Sequence, residues 1–450
     1  MNYPAIGAVA IFLVTYILLA TEKVHKTKAV LAGAVLMILL GIVSQRTAFH
    51  GGQAKYLENV YIEGIDWNTI MLLIGMMIIV NIIRTTGAVE FLAIKSAKAV
   101  HGHPTLIIVL LCVITAVLSA FLDNVTTVII IAPVAILIFE RLESDPVPCL
   151  ISVICASNIG GTATLIGDPP NIIIGSAARL SFLDFLSVDA PVAIVSMLAL
   201  LVAIALFLHP RLSVSQQVRE RVMEFDESAA ITDWSLLRRC LVVLGITLIG
   251  YVVHDRLSLE PATIALGGAA LLLLLHTDGP EEALERVEWP TIFFFIGLFI
   301  MVAGLVESGV MEMLGQGFRT FTGGNTAAMT MLMLWGSGIM CAVVNNIAYT
   351  TMMTPLITTI ALSAHPAAAT ASWVEIYHSP EILPLWWALS LGACLGGNMT
   401  YVGSAANVVV VGIADGSDHP IGFGRYLKYG VPIAFASLLL ATLWLWLLFL

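Results

Sequence analysis

Four short polar segments interrupt the long apolar runs of this chain, and they hold the residues that could do chemistry. The segments are DNVTT (123–127), TATLIGDPPN (162–171), NNIAYTT (345–351) and NMTYVGSAAN (398–407). Their Asn, Thr and Ser side chains supply hydrogen-bond donors and acceptors, and their small residues permit an unwound backbone. Unwound backbone at membrane depth is tolerated only inside protein or along a polar cavity. The four segments therefore predict one central polar binding site, with interhelical hydrogen bonding as the plainer alternative.

Two carboxylates, Asp123 and Asp168, lie within these segments. A buried carboxylate can carry a proton or hold a cation, because a low dielectric constant favours its neutral or compensated form. The alternative is a structural role as the N-cap of a half-helix, where the carboxylate accepts hydrogen bonds from backbone amides. We favour proton or cation coupling for Asp123, and the sequence supports both roles equally for Asp168.

The composition predicts an all-α integral membrane protein. Hydrophobic residues make up 59% of the 450 residues and charged residues only 11%, against about 25% charged residues in soluble domains. Several apolar runs approach the roughly 17–25 residues that a helix needs to cross a bilayer. The runs are continuous rather than alternating, which favours helices over a β-barrel. We expect a multi-pass protein of the cell (inner) membrane, with the lipid bilayer as its surroundings and no nucleic-acid partner.

The chain also contains an internal duplication. Residues 67–92 align without gaps with residues 289–314. The same offset of 222 residues, and later one of 236, relates three further pairs: Asp123-Asn124 with Asn345-Asn346, Pro133 with Pro355, and 160–171 with 396–407. The increase in offset predicts an insertion in the loop 362–382. A chance match would not keep its register through several polar signatures, so the chain is predicted to be two copies of one unit.

The duplication predicts a first repeat over residues 1–210, a linker over 211–239 and a second repeat over 240–450. The arginines of the linker predict a cytoplasmic location by the positive-inside rule. The same rule assigns the lysines after the first apolar run to the cytoplasmic side as topology signals: Lys23, Lys26 and Lys28.

Each repeat is predicted to combine a re-entrant hairpin with a broken helix. The hairpins cover 105–139 and 325–361, and the broken helices cover 149–178 and 383–415. Five crossings plus one hairpin make an odd number in each repeat, which turns the second copy upside down. Two full spans in place of 105–139 are the alternative. We favour the hairpin because it keeps Arg141 on the same side as the linker.

Motifs for other functional classes are missing from the sequence. No GxxxxGK[ST], HExxH or GxSxG pattern is present, so an intramembrane enzyme is an alternative without a nucleophile, and a channel is a further alternative. Transport would run on an ion gradient unless a separate ATPase subunit supplies energy. Six scattered cysteines favour neither a disulfide framework nor a zinc site. We expect no cofactor and no metal site, with thiol binding of a soft substrate as the alternative to apolar filler. The pair Trp386–Trp387 fits an interfacial aromatic belt.

The runs SAFLDNVTTVIIIAPVAIL, NIGGTATLIGDPPNIIIGS and GACLGGNMTYVGSAANVVVVGIA resemble the ion transporter superfamily. The likeness is to its arsenite-pump (ArsB)/NhaD permease branch, with motifs of the P (pink-eyed dilution) protein type. The resemblance implies scaffold helices, two re-entrant hairpins, a mobile transport domain and often a homodimer. It implies a substrate site at the hairpin tips and broken helices, with Asp123 and Asp168 for proton or cation coupling. The substrate-binding residues so implied are Asn124, Thr126, Thr127, Thr162, Thr164, Asn171, Asn345, Asn346, Thr350, Asn398, Thr400, Ser404 and Asn407.

Members of this branch move arsenite or antimonite outward, exchange sodium for protons, or carry anions. Arsenite is largely uncharged and has three hydroxyl groups, so an Asn/Thr/Ser-lined site with one proton-exchanging carboxylate suits it. Sodium would need a cluster of oxygen ligands with negative charge. A multiply charged anion is disfavoured, because no Arg or Lys lies within the four segments. We therefore predict proton-driven efflux of arsenite or antimonite by alternating access, with NhaD-type sodium/proton exchange and P-protein-type anion transport or channel activity as alternatives.

Overall fold

The computed structural model describes residues 3–21, 24–53, 61–62, 64–209, 212, 214–276, 279–364 and 373–450. The helices of the first half are α1 (Tyr3–Thr21), α2 (Lys26–Leu39), α3 (Gln45–His50), α4 (Trp67–Thr85), α5 (Ala88–Ala99), α6 (Pro104–Phe121), α7 (Asn124–Arg141), α8 (Val147–Thr162), α9 (Pro169–Ala178) and α10 (Phe182–Ala203). A π-helical turn, Ile204–Leu208, extends α10. The strands β1 (Gly52–Gln53) and β2 (Tyr61–Ile62) form a short antiparallel pair.

The second half repeats this order of elements. The linker contributes α11 (Gln216–Met223) and a 3-10 turn, Glu227–Ala230. The helices that follow are α12 (Trp234–Val253), α13 (Pro261–Leu275), α14 (Pro280–Glu285), α15 (Trp289–Glu307), α16 (Val310–Thr322), α17 (Thr326–Cys341), α18 (Asn346–Ala364), α19 (Trp373–Tyr377), α20 (Leu383–Gly396), α21 (Ala405–Asp415) and α22 (Phe423–Phe449). The insertion expected in the loop 362–382 falls partly on residues 365–372, outside the described residues.

Eight helices in the described part of the chain are long and apolar enough to cross a membrane. They are α4, α6, α7, α10 with its π-helical turn, α12, α15, α18 and α22. Shorter apolar helices of 10–17 residues, among them α8 and α20, complete the bundle. The prediction of an all-α multi-pass membrane protein is confirmed.

Packing between the halves follows the duplication. Helix α2 packs on α15, and its copy α13 packs on α4, the copy of α15. Within each half, α6 lies against α8 and α17 lies against α20. Corresponding glycines after α4 and α15, Gly87 and Gly309, both have left-handed backbone conformations with φ of 72° and 80°. The two copies therefore interlock through matching helices rather than forming separate domains.

Contacts at the helix ends assign the first hairpin to the side of the molecule where linker residues 214–233 lie. The start of α6 meets the end of the α10 segment there, with His209 Nδ1 3.3 Å from Thr105 Oγ1. The end of α7 meets the linker, where Arg221 donates to Glu143 at 2.5 Å. The start of α6 and the end of α7 thus lie on one side of the molecule, which we name the linker side.

The linker is also tied to the bundle by charge. Lys98, at the end of α5, donates to the backbone oxygen of Phe225 at 2.9 Å and forms an ion pair with Glu227. The hydrogen bond from Lys98 holds the pKa of the Glu227 carboxyl below its ordinary value.

The second hairpin has its ends on the opposite side. Helix α15 begins beside Asn81, near the linker-side end of α4, and crosses the bundle to reach α16. Arg319 on α16 donates to Ser363 Oγ at 2.9 Å, so α18 ends on that far side. His378, just before α20, lies 3.0 Å from the carbonyl oxygen of Ala178 at the end of α9. The two copies are therefore inverted relative to each other.

Helix lengths favour the hairpin over two full spans. The α10 segment has 27 residues, or about 40 Å at ~1.5 Å per residue. Helices α8 and α9, with 16 and 10 residues, cover the same distance in two pieces. Each arm of the first hairpin has 18 residues, or about 27 Å. The end of α6 meets the break between α8 and α9, where Thr164 Oγ1 donates to the Ala120 oxygen, so the hairpin tip lies at the level of that break.

The predicted interfacial position of Trp386 and Trp387 is wrong. The two rings are 0% and 2% exposed, and Trp387 packs edge to face on Phe185 with centroids 5.1 Å apart. Two adjacent tryptophans on a helix point in different directions, so both are buried only when the helix is enclosed on all sides, as α20 is. Belt tryptophans need one face at the lipid boundary, which α20 does not have.

Candidate functional site

Two hairpin tips and two helix breaks meet in the middle of the bundle. In each half a threonine in the break donates a hydrogen bond to the end of the first hairpin arm. Thr164 Oγ1 donates to the Ala120 oxygen, and Thr400 Oγ1 donates to the Ala342 oxygen at 2.6 Å. Carbonyls at a helix end have no partner within the helix, so these hydroxyls satisfy groups that would otherwise be buried unpaired.

An asparagine holds each break in the same way. Asn171 Nδ2 donates to the carbonyl oxygen of Thr164 at 2.9 Å, and Asn407 Nδ2 donates to that of Thr400 at 2.9 Å. Both asparagines lie in the first turn of the second half-helix and bond backward to the unwound segment. Two of the predicted binding residues, Asn171 and Asn407, therefore hold the unwound backbone of the breaks, and we call them the clamps.

A cluster of side-chain amides joins the two halves, and its centre is Asn158, which the sequence analysis did not select. Asn158 Nδ2 donates to Asn398 Oδ1 at 2.8 Å and to Asn407 Oδ1 at 2.9 Å. Its oxygen accepts from Ser404 Oγ at 3.2 Å and from Asn124 Nδ2 at 3.4 Å. Asn158 is fully buried, so every hydrogen-bonding position of the amide is used inside the protein.

The missed residue left a weak signal in the sequence. Asn158 lies one turn before Thr162 on α8, so the polar face of this helix begins earlier than the break. Its counterpart at the offset of 236 is Cys394, and an alignment restricted to shared residues passes over it. Cys394 occupies the matching position, donating from Sγ to Asn171 Oδ1 at 3.3 Å.

Asp123 occupies the N-cap of α7, which is the structural role considered for it. Its carboxylate accepts from the backbone amide of Thr126 at 2.9 Å and from Thr126 Oγ1 at 3.1 Å. Thr127 Oγ1 bonds to the backbone oxygen of the same aspartate at 3.0 Å. The carboxylate also lines a cavity, so the cap leaves it accessible to a ligand.

Asp168 differs from Asp123, although it stands at the same position before a half-helix. It makes no capping hydrogen bond to α9 and is 1% exposed. Its partner across the repeat is Asn346, which donates from Nδ2 at 3.4 Å. The Asn124 amide and the Cys394 thiol also face this carboxylate. Asp168 is therefore a buried carboxylate with neutral partners, placed where the first break meets the second hairpin.

Three polar atoms in the second hairpin and the second break lack a hydrogen-bond partner among the described residues. They are Asn346 Oδ1, Thr350 Oγ1 and Asn398 Nδ2. Buried polar atoms are nearly always paired, so unpaired ones mark positions where a ligand can bind. One is an acceptor, one a donor and one a hydroxyl group, which suits a small polar solute.

A cavity of about 360 Å³ extends from the two hairpin tips toward the linker side. Of the predicted residues, Asp123 and Asn345 line it. Toward the linker side its wall includes Lys26 and Glu288. The ammonium group of Lys26 lies close enough to the carboxylates of Glu288 and Asp123 to interact with them electrostatically. The lysine interpreted only as a topology signal thus faces the site, which the sequence could not indicate because α2 precedes the first hairpin by some eighty residues.

The other predicted substrate-binding residues do not line this cavity. Most of them bond to other groups of the hairpins and the broken helices, whereas the Thr350 hydroxyl has no partner among the described residues. The residues off the cavity wall are Asn124, Thr126, Thr127, Thr162, Thr164, Asn171, Asn346, Thr350, Asn398, Thr400, Ser404 and Asn407. Asp168 lies among them, also off the cavity wall. The structure brings the four polar segments together, as expected for one central site. Most of their side chains form hydrogen bonds within the protein.

Two inverted copies, each with a re-entrant hairpin and a broken helix meeting at the centre, define a secondary transporter. The chain belongs to the citrate transporter family (CitMHS), whose profile matches residues 16–392. It is a transporter and not an enzyme.

The chain is similar to several named proteins over nearly its whole length. It is 39% identical over 445 residues to an uncharacterized transporter of Mycobacterium tuberculosis, covering 98% of both chains. It is 30% identical over 512 residues to the human P protein, covering 96% of this chain and 58% of the relative. The resemblance to the P-protein type is confirmed, and the arsenite-pump/NhaD branch stays a prediction.

Two solved transporters share the fold at low sequence identity. The YdaH transporter of Alcanivorax borkumensis matches with a TM-score of 0.60 and 13% identity, covering 94% of this chain and 98% of its own. MtrF of Neisseria gonorrhoeae, described within a class of antimetabolite efflux pumps, matches with a TM-score of 0.59 and 12% identity, covering 97% of each chain.

Proposed function

We propose that this protein is a proton-coupled secondary transporter that works by alternating access and expels arsenite or antimonite. The observation that carries the proposal is the cavity whose inner end is formed by the hairpin tips. There Asp123 and Asn345, from the two inverted copies, face one space of about 360 Å³. That volume accommodates a small hydroxylated solute with its hydration water.

The cavity lies between two groups of helices that can move relative to each other. Its wall combines α1, α2, α4 and α15 with the tips and half-helices of α7, α9, α18 and α21. Tyr16 on α1 donates to the carbonyl oxygen of Ala348 on α18 at 2.7 Å across this boundary. Movement of the tips and half-helices past the scaffold would close the linker-side entrance and open the opposite one.

The charges of the cavity support a neutral substrate exchanged for protons. Asp123 and Glu288 supply two carboxylates, and Lys26 supplies one ammonium group. Uncharged arsenite needs no counter-ion in this setting and can use the amide and hydroxyl groups at the tips. The carboxylates Asp123 and Asp168 are the groups we assign to proton coupling, because a buried carboxylate binds a proton readily.

A second candidate is a carboxylate anion, favoured by the position of Lys26 and by the description of the family. The ammonium group of Lys26 could pair with one carboxylate of such a substrate. A trianion would also face Asp123 and Glu288, so it would have to enter with protons or cations that offset its charge. Sodium/proton exchange is the third candidate, since carboxylates and backbone carbonyls can coordinate sodium.

Purified protein in proteoliposomes with an imposed proton gradient tests these candidates side by side. Gradient-dependent arsenite accumulation, indifferent to sodium, is the expected result. Citrate accumulation without arsenite uptake would show that the substrate is a carboxylate anion and not arsenite. Dissipation of the gradient by sodium alone would identify an antiporter, and no response to any of the three would overturn the proposal.

The matched variants are Asp123→Asn and Asp145→Asn. Asp123→Asn keeps the shape of the side chain and loses the titrating charge, so we expect gradient-driven transport to be abolished in folded protein. Asp145 is exposed at the linker side beside Arg425, and its variant should transport like the parent protein. Coupled transport by Asp123→Asn at the parent rate would refute the coupling role.

Topology and partners complete the proposal. We propose that residues 211–239 are cytoplasmic and that 1–210 and 240–450 are the two repeats. A homodimer is expected from the family resemblance, and a separate ATPase subunit is the alternative energy source for a chain without a P-loop. The molecular mass of the protein in lipid nanodiscs tests the first, and transport without ATP in proteoliposomes tests the second.

A further inference from the structure

A third carboxylate, Asp189, is buried in the bundle and has no place in the function described so far. It lies on α10, within the apolar run FLDFLSVDAPVAIV, and is 0% exposed. Its Oδ2 atom is 2.5 Å from Ser390 Oγ on α20, and its Oδ1 atom has no hydrogen-bond partner among the described residues. Ser390 Oγ is in turn 2.8 Å from Asn171 Oδ1. The chain of contacts runs from Asp189 to the asparagine that clamps the break between α8 and α9.

The orientation of the Asn171 amide is fixed by its neighbours. Its nitrogen donates to the carbonyl oxygens of Thr162 and Thr164 at 3.1 and 2.9 Å. A flipped amide would place its oxygen against those oxygens, so the flipped form is excluded. Asn171 Oδ1 is therefore an acceptor and needs a hydrogen from Ser390 or from the Cys394 thiol, which is 3.3 Å away.

A count of hydrogens then assigns the protonation state of Asp189. The two contacts of Ser390 Oγ, at 2.5 and 2.8 Å, both end on acceptor oxygens if Asp189 is ionised. A serine hydroxyl has one hydrogen, so one of these two short oxygen–oxygen contacts would hold no hydrogen even when the Cys394 thiol donates to Asn171 Oδ1. If the acid is protonated, Asp189 donates to Ser390, Ser390 donates to Asn171, and each contact has its hydrogen. The Oδ1 atom is then a neutral carbonyl, which is less costly to bury unpaired than an ionised carboxylate oxygen.

We propose that Asp189 is a third proton-binding group of the transport cycle, beside Asp123 and Asp168, and that it is linked to the α8–α9 break through Ser390 and Asn171. When the acid releases its proton to solvent water, the Ser390 hydroxyl turns toward the new carboxylate. Asn171 Oδ1 then keeps only the thiol of Cys394. The clamp on the break loses its strongest donor, so the break is easier to rearrange in the deprotonated state.

The surroundings of Asp189 leave its charge uncompensated. Of the helices packed against α10, α20 contributes Cys394, whose thiol interacts electrostatically with both Asp189 and Asp168. Among the described residues of α6, α8, α12 and α22, no charged side chain takes part in the electrostatics of Asp189. Ionisation therefore occurs only in a conformation that admits water.

The second half has no equivalent of this device among its described residues. The oxygen of Asn407, the counterpart of Asn171, accepts from the Asn158 amide at 2.9 Å. An amide does not titrate in the physiological range, so that clamp does not depend on pH. Of the two asparagine clamps, only that of the first half is linked to a titratable acid among the described residues.

Infrared spectroscopy of the protein in lipid tests the assignment without any transported substrate. At neutral pH we expect a C=O stretching band from a protonated carboxyl group, lost in Asp189→Asn and retained in Asp168→Asn and in the exposed control Asp145→Asn. Ser390→Ala should keep the band and shift it to higher frequency, because the acid loses its hydrogen-bond acceptor. A spectrum unchanged by Asp189→Asn would overturn the proposal.

The role of Asp189 in coupling protons to transport rests on the proposed function, and transport measurements test it separately. The amide introduced by Asp189→Asn can still donate to Ser390, so we expect this variant to fold and to carry substrate down its gradient. Its gradient-driven accumulation should be lost, and in Ser390→Ala the dependence of transport on pH should flatten. Gradient-driven accumulation at the parent level in both variants would contradict the coupling role and show that Asp189 is only structural. Absence of transport in the parent protein would overturn only the proposed function, because the infrared result stands by itself.

Discussion

At the scale of single residues, side-chain amides carry the connection between the two halves. Asn158 donates two hydrogen bonds and accepts two, and no hydrophobic residue of the same size could replace them. Its partners come from the first hairpin and the second break. This places an uncharged, strongly directional group at the point where the two halves meet.

We predict that Asn158→Ala lowers the stability of the protein measurably. Removing the amide leaves Asn398 Oδ1 and Asn407 Oδ1 without their donor in a buried site. Each hydrogen bond contributes about 0.5–1.5 kcal/mol, and less within membranes, so a loss of about 1–3 kcal/mol is expected. Thermal unfolding in detergent, followed by tryptophan fluorescence, measures the change.

The control for this prediction is Thr115→Ala. Thr115 is equally buried, but its hydroxyl bonds only to the Leu111 oxygen of its own helix. Equal unfolding temperatures for the two variants would mean that the amide cluster contributes nothing beyond ordinary side-chain burial.

At the scale of elements, close packing between a hairpin arm and a broken helix positions each break. A Cβ atom on Gly160 would lie 2.2 Å from the Ala116 oxygen of α6. The corresponding Cβ on Gly396 would lie 2.3 Å from Gly338 of α17. Backbone contact of this kind is what small residues permit in membrane bundles.

We predict that Gly160→Ala and Gly396→Ala each destabilise the protein, because backbone atoms cannot move aside as a flexible side chain can. Transport should fall with the stability, since displaced arms misplace the tips. Gly267→Ala is the matched control, because nothing lies within 4 Å of its added methyl group. Alanine is the better helix former by about 1 kcal/mol, so the control should be neutral or slightly stabilised. A parent-like melting temperature for Gly160→Ala would show that α6 and α8 can separate freely.

The elements were more predictable from sequence than the contacts of the site. The duplication, the four polar segments and their convergence followed from composition and from one internal alignment. Lys26 and Asp189 could not be selected, because their meaning depends on which helices pack against them. Asn158 was passed over since its counterpart is a cysteine. Polar residues in the breaks looked like substrate ligands, but Asn171 and Asn407 bond to backbone carbonyls that the breaks leave open. Thr164 and Thr400 bond to carbonyls at the ends of the hairpin arms.

At the scale of the whole molecule, the inverted arrangement places two exposed carboxylates on opposite faces. Asp145 lies on the linker side beside Arg425, whereas Glu260 lies on the opposite side, 2.7 Å from Arg179. Their side chains are 47% and 54% exposed, and the six native cysteines are buried. A thiol introduced at either position would therefore be labelled against a low background.

We predict that a membrane-impermeant maleimide labels Asp145→Cys in everted vesicles and Glu260→Cys in intact cells. The two positions must react from opposite sides, because the helices between them cross the bundle in the inverted arrangement. Labelling of both from one side would contradict the inversion itself. Labelling with the sides exchanged would keep the inversion and place the linker outside the cell. In that case the cavity beside Lys26 would open outward, and the direction proposed for transport would have to be reconsidered together with the orientation.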